Sequence, residues 1–463
     1  MTMKKIFLML GVAAFTLQLS TACTDYLEDG KVNLEIPEQP EEPEEPFVYP
    51  TTYNFNNPCA LIAQEDIDRV KQKVAAADAN DLVYASWLNF CKSQFAQSSY
   101  KASPVEIVVR GDATGTGVAS ENYGSCMRDA AAALQLALRW HISGEKAYAD
   151  AAIAILNDWA RVCKKITAND RNFYLLAGFQ GYTFACAGDM MRNYEGWAAA
   201  DIEIFKQWML TVWYPHNREF TLNPGGTNDC ALHCWSNWQL CNMASLLAIG
   251  HLTQNPEIVT LAYKNFREGE GSGALNNMIP YDPVEDPDHK TTGMLAQSME
   301  SGRDQGHATL VISMNAEMCQ MAWNLGIDFW GMENNKVLAM CEYTAKWNAK
   351  PNGSFLTTTM PFTTYYYCID CECKNKNHGA THTTVSNDEG RGTIRPGWDL
   401  IYNHYAKVKG LGDEACYYSK FFAEQLRYTN GTLTGDGGAG DSRYGGNSSA
   451  FDQFGWGTML YTR

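Results

Sequence analysis

Residues 128–159 read RDAAAALQLALRWHISGEKAYADAAIAILNDW, and this stretch sets the architecture. Apolar residues recur at helical spacing from Arg128 to Trp140 and again from Lys146 to Trp159. The joint between them is short. Gly144 stands where a helix ends in a left-handed residue, so the two segments form an antiparallel helical hairpin.

The same pattern repeats along the chain. Helix-period segments run over 64–77, 81–97, 174–192, 200–213, 237–249, 258–266, 304–325, 336–347, 398–408 and 414–427. No comparable set of alternating strand segments appears. Consecutive antiparallel helix pairs in a chain of this length predict an all-α fold, either an incomplete α/α toroid or an α-solenoid. No fixed-period repeat is visible, which favours the toroid. In such a ring the inner helices all run the same way and their N-termini collect at one end. That end presents unpaired N–H groups and partial positive charge, which suits an anion.

Two helix starts carry the residues to use it. In Glu300-Ser-Gly-Arg303-Asp-Gln-Gly-His307, Ser301 reads as an N-cap with Asp304 completing a capping box. Arg303 and His307, four apart, then share one helix face, placing a cation beside an imidazole. In Ser236-Asn-Trp-Gln239 the same motif recurs with Gln239 in the third position, and Asn237 at the first helical position has an amide to donate to a carboxylate.

Lys4 and Lys5 precede an apolar run from Ile6 to Leu19 and then Ser20-Thr-Ala-Cys23, the pattern of a lipoprotein signal peptide over 1–22 with Cys23 as the lipid-bearing residue. An acidic Pro/Glu linker follows over 23–48, stiff and self-repelling, with nothing to bury. One large domain is expected over 49–463. The reading is of an exported lipoprotein at the outer membrane, cell surface or periplasmic face. The whole chain carries a net charge of −16, and beyond the first 47 residues 33 basic against 43 acidic residues leave −10. Nucleic acid, which needs a basic face, is excluded as a partner. An anionic ligand must be held by a local cationic pocket working against this global field.

Of fifteen cysteines, Cys91, Cys126, Cys163, Cys186, Cys241, Cys319, Cys341 and Cys416 lie inside helical apolar patterns, where a free thiol acts as a small hydrophobe. Cys368, Cys371 and Cys373, followed by His378 and His382, form the one clustered set. Its spacing matches no common zinc module, so no cofactor is expected, with a structural metal there as the alternative to disulfides or plain thiols.

Asn237-Trp238 leading into 244–250, the Arg303–His307 stretch leading into Met321-Ala-Trp-Asn-Leu-Gly-Ile-Asp328, the opening Asn57-Pro-Cys-Ala-Leu-Ile62, the 138–150 hairpin and the closing Phe454-Gly-Trp-Gly-Thr458 together resemble the alginate lyase superfamily of α/α-toroid polysaccharide lyases. The likeness covers nearly all of the domain and is closest in type to the single-domain families 5 and 38. It implies β-elimination of a uronic-acid glycan such as alginate or glucuronan, with Asn237 and Arg303 carrying over as carboxylate-neutralising residues. The chain departs from the family 5 type at two places. Trp238 stands where relatives of that type have a histidine, and Leu310 where they have a tyrosine.

Elimination removes the proton at C5, which is acidified only if the adjacent carboxylate is neutralised by donors or cations. A base and an acid are then required, roles suited to His and Tyr. His307 is the expected base or second neutraliser. Tyr366, within Tyr365-Tyr366-Tyr367, is the expected acid, with Tyr402 and Tyr405 as alternatives. Arg391 and Arg395 suit flanking carboxylates through their guanidinium forks, and Trp238 is a further expected substrate-binding residue. Two other functions fit parts of the pattern. A glycoside hydrolase on the same barrel would draw on Glu300, Asp304 or Asp229, and a non-catalytic glycan-binding lipoprotein would use the many aromatics, which serve sugar stacking and core packing alike.

Overall fold

The computed structural model describes residues 47–226, 230–366, 381–386 and 390–463. The expected leader, Cys23, most of the linker, Asp229, Cys368, Cys371, Cys373 and His378 lie outside the described residues. The compact unit spans Tyr49–Arg463.

Five inner helices organise it: α1 (Gly124–Ser143), α2 (Phe173–Met191), α3 (Ser236–Thr253), α4 (Gln305–Asn324) and α5 (Trp398–Asn403). Between them the chain returns through outer helices, among them Lys146–Val162, Ala199–Trp208, Tyr214–Leu222, Pro256–Glu268, Met332–Asn348 and Tyr417–Leu426. The result is all-α, an incomplete α/α toroid. Gly144 ends α1 in the left-handed region at φ 75° and donates its N–H to Trp140. Among the described residues there are three two-stranded ladders: β1 (Ile107–Val109) with β2 (Lys165–Thr167), β3 (Tyr365–Tyr366) with β4 (Thr381–His382), and β5 (Tyr428–Thr429) with β6 (Thr432–Leu433).

Glycine brings α2 and α3 together. A Cβ at Gly178 would lie 2.3 Å from Cys241 Sγ, and one at Gly181 would lie 2.4 Å from Ser245 Oγ. Each glycine costs helix stability of about 1 kcal/mol relative to alanine, and the close packing of two fully buried helices is the return. These contacts near the starts, with Asp189 bonding His251 near the ends, show that α2 and α3 run parallel. His141 Nε2 lies 2.9 Å from the Met190 carbonyl, which aligns α1 with α2.

One segment caps the far ends. Arg192 donates to the carbonyls of Phe55 and Asn57, while Asn54 and Asn57 donate to Leu325 and Asn324 at the end of α4. At α5, Ser313 of α4 donates to the Pro396 carbonyl, and His404 beyond α5 packs on Trp323. All five inner N-termini therefore gather at the opposite end.

The closing stretch is tied to the barrel by a buried acid. Glu317 of α4 accepts from Tyr182 Oη at 2.7 Å and from the N–H groups of Gly455 and Phe454 at 2.8 and 3.3 Å. Burial pushes its carboxyl up to about 7 despite these donors. The eight helix-pattern cysteines are all free thiols, seven of them buried and Cys91 partly so. Among the described residues, no helix is long and apolar enough to cross a membrane.

Candidate active site

Both helix starts begin one or more residues away from the sequence expectation. Helix α4 starts at Gln305 and its cap is Asp304, whose carboxylate accepts from the His307 N–H at 2.8 Å. Ser301 is not a cap; its hydroxyl accepts from the Ser298 N–H. Asp304 wins because its carboxylate reaches the third helical N–H from the residue adjoining the helix, a register that Ser301 cannot share. At α3 the cap position is Trp235, which has no side-chain acceptor, and the Ser236–Gln239 box does not form. Gln239 turns outward instead, donating to Thr221 and accepting from Gly273 N. Ser236 Oγ and Asn237 Oδ1 are buried without a partner among the described residues.

Arg303 lies before α4 rather than on it. Asp304 couples it to His307: Oδ2 is 2.6 Å from His307 Nδ1 and 3.5 Å from Arg303 Nε. With Nδ1 held by the carboxylate, the imidazole presents Nε2 outward, and its side chain is 38% exposed. Burial raises the Asp304 carboxyl, but the bond to His307 and the neighbouring positive charges outweigh it and leave the group below its ordinary value. Beneath sits Glu300, fully buried, 3.3 Å from Arg303 Nη1 and raised by burial. The guanidinium lies 4.3 Å over the ring of Trp235, two residues before Asn237. Met299 packs with Leu232 and Trp235 as well. The loop that opens α3 and the loop that opens α4 thus form one surface.

That surface is braced from three sides. Tyr365 Oη donates to the Met299 carbonyl at 2.5 Å and accepts from Gly302 N at 3.1 Å. Ser386 N donates to Ser301, and Asn348 Nδ2 donates to Gln305 Oε1 at 2.7 Å. Gly302 must be glycine, since a Cβ there would lie 2.5 Å from His382 Cβ. His382, paired with Tyr365 across the hairpin, stands between Tyr365 and Trp235. Burial holds its imidazole below the ordinary value, and the charge of Arg303 acts in the same direction.

Strand alternation turns Tyr365 inward and Tyr366 to solvent, where it is 49% exposed. Trp238 is half-buried and stacks on Phe220 at 5.9 Å. Arg391 lies 3.6 Å over Trp347 and 4.3 Å over Phe355 and donates to the Trp347 carbonyl, beside the Gly306 turn that Gly390 touches. Arg395, expected at a flanking substrate carboxylate, is buried and paired instead with the chain's own Asp452 at 3.1 Å. Tyr402 is held by Asp413 and Tyr405 by the Trp330 carbonyl, away from the Arg303 loop.

Two cations escaped the sequence reading. Arg171, at the start of α2, donates to the Pro224 carbonyl and to Cys234 and lies 5.1 Å over Phe220. Arg110 lies 5.0 Å over Tyr123, the residue before α1, with Nη1 buried and without a partner among the described residues. With Arg303 and Arg395, an arginine therefore stands at the start of α1, α2, α4 and α5.

Residues 91–277 match the family model described as Alginate lyase. Over that segment the chain resembles the alginate lyase superfamily. It is a polysaccharide lyase. The matched segment of this lyase includes Asn237 and Trp238 and ends before Arg303. Its fold is shared with alginate lyase A1-III from Sphingomonas species A1, at 13% identity and a TM-score of 0.51, over 89% of this chain and 97% of that one. Two variants of alginate lyase A1-III complexed with tetrasaccharide, one with a tyrosine changed to phenylalanine and one with a histidine changed to alanine, align over the same shares. They do so at 11% and 12% identity, each with a TM-score of 0.52. No curated protein sequence matches the lyase significantly.

Proposed function

We propose that the lyase cleaves a uronic-acid polysaccharide of the alginate or glucuronan type by β-elimination at the joined starts of α3 and α4. The observation that carries this reading is the Arg303–Asp304–His307 cluster seated on Trp235, two residues before Asn237. The substrate carboxylate docks at the α3 start, where backbone N–H groups have no side-chain cap among the described residues, and is neutralised by the Asn237 amide and the Arg303 guanidinium. Asp304 fixes the tautomer of His307 so that Nε2 is free to take the C5 proton. When that proton and the departing O4 lie on the same side of the ring, the imidazolium so formed returns it to O4. This route needs neither the histidine nor the tyrosine replaced here by Trp238 and Leu310.

The hydrolase reading has less support, because Glu300 is sealed beneath Arg303 and Asp304 is spent on the helix cap and His307. The test is to incubate the soluble domain with alginate, glucuronan and other uronans and follow the ultraviolet absorbance of unsaturated chain ends. Absorbance rising with reducing ends is the expected result. Reducing ends without absorbance would establish a hydrolase, and binding with neither signal a glycan-binding module.

A further inference from the structure

At the end of the barrel opposite this site, between the C-terminal ends of α1 and α2, lies a cavity of about 540 Å³. Trp140 and Tyr194 form an aromatic corner in its wall, ring centroids 5.0 Å apart and inclined at 63°. Lys146, Asn193 and Glu195, all exposed, stand around it. The corner is preformed. Tyr194 Oη donates to Asp150 at 2.7 Å, and its N–H is taken by the Met191 carbonyl. At Gly196 a Cβ would lie 2.5 Å from the Tyr194 ring, so only glycine lets the loop close over it. The 138–150 hairpin, one of the stretches behind the family resemblance, thus supplies both Trp140 and the carboxylate that fixes Tyr194, and the elimination chemistry uses neither.

We infer that this corner is a second glycan-binding site, taking a pyranose ring of the same acidic polysaccharide at a distance from the cleavage point. An aromatic wall with one ammonium, one amide and one carboxylate at its rim matches a ring with an apolar face, hydroxyls at its edge and a carboxylate for Lys146. Holding the polymer at a second point raises its effective concentration at the active site without any new contact there. The inference rests on the uronan lyase reading above.

The test is native gel electrophoresis through immobilised alginate or glucuronan, with elimination kinetics on tetrasaccharide and polymer run in parallel. Trp140→Ala is expected to weaken retention about tenfold. Because Trp140 also packs on the core, the exposed double variant Lys146→Glu/Asn193→Ala is carried beside it. Both are expected to keep wild-type turnover of tetrasaccharide and lose turnover of dilute polymer. Unchanged retention in the double variant, or equal loss on tetrasaccharide and polymer, would overturn the second site. If the wild type cleaves no uronan, the lyase reading itself has failed. Uronan cleavage with retention indifferent to the variants removes the second site alone.

Discussion

The starts of α3 and α4 adjoin each other and are finished in opposite ways. Helix α4 is closed by a carboxylate: Asp304 satisfies the His307 N–H, orients its imidazole and pairs with Arg303. Helix α3 begins after a tryptophan that offers no side-chain acceptor, and a buried Asn237 follows. A closed start is the stable solution, worth about 1 kcal/mol for the cap alone. An open start beside a bound arginine is the costlier one and is what an anionic ligand would complete. The difference separates two tasks, neutralising a carboxylate at α3 and moving a proton at α4.

The largest effects are expected where charge is altered at the open start. Asn237→Asp sets a carboxylate against the substrate's own and is expected to abolish elimination, while Asn237→Ala and Arg303→Ala each lower kcat/KM by about 10²- to 10³-fold. The absorbance assay, with thermal melts to verify folding, checks this. Near-wild-type turnover in Asn237→Asp would mean that the α3 start does not bind the carboxylate.

Asp304→Asn separates capping from proton transfer at the α4 start. Asparagine is as good a cap as aspartate, so the melting temperature is expected to stay within a few degrees. Turnover is expected to fall about tenfold or more, because an amide no longer fixes the imidazole as the carboxylate does. Equal loss of stability and activity would mean that Asp304 is only a cap.

The start and body of α4 also differ in pH response. Asp304 is held below its ordinary value and contributes stability above it. Glu317 is raised to about 7, so its contribution is full below the ordinary glutamate value near 4.5 and is lost as pH rises through 7. Glu317→Gln is therefore expected to flatten the fall of stability between pH 5 and 7.5 by an amount of order 1–3 kcal/mol, measured by urea unfolding across that range. The smallest effects are at the hairpin. Tyr365→Phe frees the Gly302 N–H and the Met299 carbonyl and is expected to cost about 1–2 kcal/mol. Tyr366→Phe, on the solvent side, is expected to change neither stability nor turnover by more than about 0.5 kcal/mol.

Helical periodicity made nearly every inner and outer helix legible, because burial of one stripe is written locally in the sequence. At Met332–Asn348 the pattern even marks the regular part: Glu333, Asn334 and Asn335 all have positive φ, and regular helix begins at Lys336, where the apolar spacing begins. The caps were misread because Ser301 and Ser236 satisfy the motif in a register that the backbone does not adopt. The Asp304–His307 spacing of a cap and its third residue was the readable signal. The bracing of Gly302 by Tyr365 and His382 was not legible. Hairpin pairing across a long insertion leaves no periodic trace, and His382 reads as a ligand of the neighbouring cysteines. Arg395 was misjudged for a similar reason, since its partner Asp452 is distant in sequence.

In the proposed mechanism Asn237 and Arg303 act by neutralising the substrate carboxylate. Comparing Arg303→Ala with wild type on a free uronan and on its methyl ester tests it most directly, because the ester is already neutral. The expected loss is about 10²- to 10³-fold on the free acid and much smaller on the ester. Equal losses on the two substrates would contradict it.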